Sequence, residues 1–128
     1  QRAAATELPP GLHVLENRAW GAPSAKVDAV RERMRGANEF RGALLLDHLV
    51  GVLRAHDVPD GPAGDSGVAG FVRPRETEAN CVHTALYGTR SASIVMVGPD
   101  AGAPRLWTTD GPPCTHPFVE RSALFVSD

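Results

Sequence analysis

Residues 79–97 read ANCVHTALYGTRSASIVMV, and what they become decides the architecture. Over residues 91–97 every position is apolar or small. Ala92, Ile94 and Met96 form one alternate set, and Ser93, Val95 and Val97 form the other. Successive side chains of a strand point to opposite faces, so a strand apolar on both sets is expected to be a central one, covered above and below. Gly88 lets the chain turn sharply before that strand. Upstream stand Cys81, His83, Tyr87 and Arg90, four chemically capable side chains within ten residues.

Outward from this strand, GPDAGAP reads as a hairpin-type loop and RLWTT as the returning strand. DGPPCTHPF is another turn, and ALFV a short final strand. Towards the start of the chain, Pro9, Pro10 and Gly11 make a turn before a short strand at 12–15. A helix is expected over 22–36. Ser24 is its N-cap, Val27, Val30 and Met34 share one face, and Gly36 is the stop. A second helix is expected over 39–56, with Leu45, Leu46, Leu49, Val52 and Leu53 as its apolar stripe. The Pro- and Gly-rich segment 57–70 reads as a loop bordering a site. The order of strand, two helices, loop and strand meander predicts an α+β layered fold with a covered antiparallel sheet.

At 128 residues the chain fits a single domain or part of a larger one. A net charge of -2 makes no electrostatic case for nucleic acid or an anionic membrane as partner. No apolar run approaches the ~20 residues of a spanning helix, and QRAAATELPP has no apolar signal-peptide core. Two cysteines, Cys81 and Cys114, do not make a disulfide framework, so a cytoplasmic setting is the default expectation.

Four constellations carry candidate chemistry. Cys81 with His83 and Cys114 with His116 are each two apart, so on strands each pair offers two ligands on one side. Together they would complete a tetrahedral zinc shell, although the spacing is not that of a zinc finger, and a small buried thiol without any metal is the commoner state of such a cysteine. Cys81 paired with His83 or His116 is a nucleophile–base candidate, without an evident third orienting group. Asn17, followed by Arg18 at the end of the first strand, offers an amide N–H to a developing oxyanion. The alternative is a turn-forming Asn bonded to its own backbone. Arg90 stands at the mouth of the core strand, either as a charge for a nucleophile or anionic substrate group, or in a structural ion pair.

Taken in this order, the motifs resemble a family. LPPGLHVLENRAWGAPSAKVDAVRERM is similar to the middle section of the NRDE family, also called TANGO2-like. There a PPG turn leads into a strand ending on Asn, and KV opens a helix. YGTRSASIVMV resembles that family's closing YGTRS motif and core strand. The run CVH…YGTRSASIVMV…W…PC…F is also similar to secernin-type peptidases. The resemblance spans about residue 8 to the end. It implies the four-layer αββα fold of N-terminal-nucleophile hydrolases and cleavage of a linear amide C–N bond, with no cofactor. By resemblance Asn17 is the oxyanion-hole donor and Arg90 the arginine near the nucleophile. Tyr87 and Arg18 are the accompanying substrate-binding candidates. The family's opening section, with its nucleophile and Asn-Arg-Asp-Glu motif, has no counterpart here, and Gln1 cannot serve as the nucleophile. The expectation is therefore a single partial domain over 1–128, the C-terminal half. Its partner is an N-terminal half on a separate chain or missing segment, and its substrate is a small-molecule amide. The second expectation is a non-enzymatic TANGO2-like protein of haem or lipid handling, with His83 or Cys81 as haem contacts.

Overall fold

The computed structural model describes residues 5, 7–60, 74–98 and 103–125. Most of the 57–70 segment, residues 61–70, and the tip of the expected hairpin, residues 99–102, lie outside them.

The first helix, α1 (Ala25–Arg33), starts where extended Ser24 accepts the Val27 N–H on its Oγ at 3.2 Å. That bond satisfies one of the amides a helix start leaves orphaned. Gly36 ends the segment at φ 76°, a left-handed conformation that costs glycine little. The expected boundaries of 22–36 shrink to this core. A single turn of 3-10 helix (Ala37–Glu39) and extended Phe40 and Arg41 then separate it from α2 (Gly42–Arg54). Within α2 only Val52 is buried, and α1 has no buried residue.

Three short strands follow in one antiparallel sheet. They are β1 (Ser93–Met96), β2 (Arg105–Thr108) and β3 (Val119–Glu120), in spatial order β1-β2-β3. Register pairs Ile94 with Trp107, both buried, and this cross-strand pair is the heart of the sheet's covered face. Thr109 extends the ladder. Its backbone N–H donates to the Ala92 carbonyl at 3.0 Å, and its Oγ1 accepts the Ala92 N–H at 2.9 Å. The architecture is thus mixed helix and strand, α+β, with one small antiparallel sheet among the described residues.

Four sequence expectations are corrected here. The core strand is not central: β1 lies at the sheet edge, and Val95 is 55% exposed while Ile94 is 5% exposed. Among the described residues only one of its two apolar faces has a cover. Residues 12–15 form no strand, because no described strand lies alongside to receive their backbone groups, and Leu15 is exposed. The described part of ALFV, residues 123–125, is not a strand either. Ser122–Phe125 is a 3-10 turn, and β3 lies just before it. There Arg121 N–H donates to the Leu106 carbonyl and Ser122 Oγ accepts the Leu106 N–H. With both Leu106 groups satisfied, the chain curls off the sheet. The helices, finally, do not form a layer over it: neither packs extensively against a strand. Among the described residues no helix is long and apolar enough to cross a membrane.

Candidate functional site

The end of α2 organises the site. The last carbonyls of a helix have no partner within it. Here the Val52 carbonyl accepts from Asn80 Nδ2 at 2.8 Å, and the Ala55 carbonyl accepts from Cys81 N–H at 2.9 Å. Arg54 Nε donates to the Pro113 carbonyl at 2.8 Å. Three segments far apart in sequence, near residues 55, 81 and 113, are therefore tied together by bonds that involve backbone at one end or both.

Beyond Cys81 the chain makes a tight turn. His83 pairs with Gly88, and Thr84 N–H donates to the Tyr87 carbonyl at 2.9 Å. Thr84 Oγ1 accepts the Tyr87 N–H at 3.0 Å, which locks the turn from within. Gly88 is required because a β-carbon there would stand 2.7 Å from the Val82 carbonyl oxygen. The turn pushes Leu86 and Tyr87 outward, and both are exposed.

A cavity of about 720 Å³ opens on this turn, lined by Asn17, Pro74, Glu76 and residues 83–87. It brings together Asn17 and Tyr87, two of the residues singled out from sequence. Both also line a smaller neighbouring cavity of about 310 Å³, with Arg18, Lys26 and Glu78. Arg18 is committed to an ion pair: its Nη2 donates to Glu78 Oε1 at 2.7 Å, and Glu16 lies 3.4 Å from its Nε. Glu78 is 5% exposed, so the pair is buried on the carboxylate side. Arg90 is exposed and lines neither cavity. Among the described residues no hydrogen bond or ion pair holds it. The structure thus gathers Asn17, Tyr87 and Arg18 and leaves Arg90 apart.

No protein-family model, curated protein or solved structure matches this chain.

Behind the cavity wall the cysteines meet. His83 Nε2 lies 3.5 Å from Cys81 Sγ and 3.2 Å from Cys114 Sγ. His56, just past the end of α2, completes a group of four whose ligand atoms all lie within 4.8 Å of one another. The sequence expectation had His116 in that place. His116 instead turns back on its own loop. Its N–H donates to the Pro112 carbonyl, its Nδ1 lies 3.0 Å from Thr115 Oγ1, and its ring fills the space a β-carbon at Gly111 would need. His56 was missed because nothing in the spacing between 56 and 81 marks a pair; the Cys81 N–H bond to the Ala55 carbonyl and the 3.1 Å contact of His56 Nδ1 with the Cys81 carbonyl bring them together.

Cys81 is 1% exposed. Burial pushes its thiol above the ordinary value, and hydrogen bonding with the Cys114 side chain adds to this. Without a metal or a positive charge beside it, a thiol whose proton is held more tightly is a weaker nucleophile.

Proposed function

We propose that this chain supplies the oxyanion-stabilising wall of a hydrolase for linear amides. The observation that carries the reading is the cavity of about 720 Å³ in which Asn17 and Tyr87, 70 positions apart, face the same space. Asn17 is the donor. When a nucleophile attacks an amide carbonyl, the carbonyl oxygen takes up negative charge, and an amide N–H aimed at that oxygen stabilises it. Collapse of the tetrahedral intermediate expels the amine. Tyr87 offers a ring face and a hydroxyl to the substrate's side groups. The nucleophile comes from an N-terminal section outside this chain, as the NRDE resemblance implies, and the complete fold is then a four-layer αββα sandwich. The uncovered face of β1 is where such a second half would add its layer. Arg90 lies close in sequence to that strand, and its role near the nucleophile belongs to the assembled protein.

The test uses the complete protein, both halves present, on a panel of N-acyl amides with release of amine as the readout. Asn17→Ala is expected to lower turnover by about 10²–10³-fold with a smaller change in KM. Tyr87→Phe is expected to act mainly on KM. Turnover undiminished by Asn17→Ala would remove the oxyanion role.

A further inference from the structure

The amide-cleaving reading uses the cavity and leaves the sulfur cluster behind it unexplained. Both cysteines of the chain converge there, together with two of its five histidines. They arrive from three separate segments: His56 after α2, Cys81 and His83 on one stretch, Cys114 on the 112–116 turn. We propose that His56, Cys81, His83 and Cys114 form a closed tetrahedral site for a zinc ion, which clips these three segments together.

The distances carry the proposal. Zinc–nitrogen bonds of about 2.0–2.1 Å and zinc–sulfur bonds of about 2.3 Å set tetrahedral edges of roughly 3.3–3.8 Å between ligand atoms. Two of the three edges at His83 measure 3.5 Å to Cys81 Sγ, inside that range, and 3.2 Å to Cys114 Sγ, just below it. The remaining edges, all under 4.8 Å, need only side-chain adjustment.

The surrounding bonds fit as well. His56 Nδ1 lies 3.1 Å from the Cys81 carbonyl oxygen. A carbonyl only accepts, so Nδ1 carries the proton and Nε2 keeps its lone pair for the metal. Metal-bound histidines are oriented by just such a bond from the second ring nitrogen. The ligand set also selects the ion. Two sulfurs and two imidazoles, with no carboxylate, disfavour calcium and magnesium and suit a thiophilic ion without geometric preference. Two thiolates balance the charge of the dication, which suits a site where Cys81 is almost wholly buried. Four protein ligands leave no open position for water, so the ion is structural. Its effect reaches the cavity through His83, which is both a ligand and part of the cavity wall.

The test is titration of the reduced full chain with Co²⁺, the spectroscopic stand-in for zinc, followed by displacement with Zn²⁺. One equivalent is expected to produce thiolate-to-cobalt charge-transfer bands and the intense visible bands of a tetrahedral site, both abolished by Zn²⁺. His56→Ala and Cys114→Ser, at positions that are not fully buried, are each expected to weaken binding by about a hundredfold or more. Loss of an outer partner alone costs about 10–100-fold. His116→Ala is expected to leave binding unchanged. Zn²⁺ should raise the thermal midpoint of the unaltered chain and not that of Cys114→Ser. A reduced chain, with both thiols free by titration, that develops no charge-transfer bands overturns the site. So does a spectrum that survives His56→Ala and disappears in His116→Ala.

Discussion

Individual residues here are held mainly through backbone partners. Gly88, Ser24 and Arg54 each meet a main-chain group that would otherwise be crowded or left without a partner, and Asn80 adds a second donor to the Val52 carbonyl, which also accepts the Ala55 N–H. A charged pair behaves differently. Arg105 donates to both carboxylate oxygens of Glu120 at 3.1 Å and lies 4.5 Å over the Trp107 ring. These bonds, with a smaller contribution from the Ser122 hydroxyl, hold the Glu120 carboxyl below its ordinary value. A depressed carboxylate pKa adds stability above the unfolded value, near 4.3, and that stability is lost as pH falls through the folded value. The pair is open to solvent, so the stabilisation at neutral pH is small. In an NMR titration of the Glu120 carboxyl carbon, Arg105→Gln is expected to raise the midpoint towards that of a free glutamate. An unmoved midpoint would show that Arg105 does not set it.

Elements are where the sequence pattern and the fold part company. Both alternate sets of β1 are apolar, which reads as a strand covered twice, yet the strand occupies the sheet edge with one face open. Two substitutions separate these readings. Ile94→Ala is expected to cost about 2–5 kcal/mol, since it empties the position packed on Trp107. Val95→Thr on the open face is expected to stay within about 0.5 kcal/mol in the isolated chain. Chemical denaturation of both variants measures the difference, and equal costs would mean that the second face is covered. The two helices were legible because their signals are local: the Ser24 cap, the Gly36 stop and the Leu-rich stripe of α2 all act within a few residues. The strands at 12–15 and in ALFV misled because a strand also needs a neighbour, and its own residues do not say whether one exists.

Over the whole molecule, large apolar side chains stay on the surface. Leu15, Leu44, Leu86, Val97 and Leu124 are each at least 68% exposed. Apolar surface of this kind marks an interaction face when it gathers into patches. The isolated chain is therefore expected to bind the dye ANS, and the second half proposed above is expected to suppress that fluorescence. A chain that leaves the dye dark by itself would count against a missing cover. The candidate site was legible in part for the same reasons of scale. Cys81, His83 and Cys114 stood out as ligand types, and Asn17 and Tyr87 through their motifs. His56 did not stand out, and His116 did so misleadingly.

The sequence by itself determined the composition class, the α+β mixture, the two helices with their caps, and the return of RLWTT against the core strand. Those depend on periodicity and on turn residues, which act over a few positions. Only the tertiary structure decided that β1 is an edge strand, that Asn17 and Tyr87 share a cavity while Arg90 stands apart, and that His56 rather than His116 joins the two cysteines. Each of these rests on contacts between segments far apart in the chain. The carbonyls at the end of α2 take their partners from residues 80 and 81, and Arg54 reaches Pro113, bonds that no local spacing encodes.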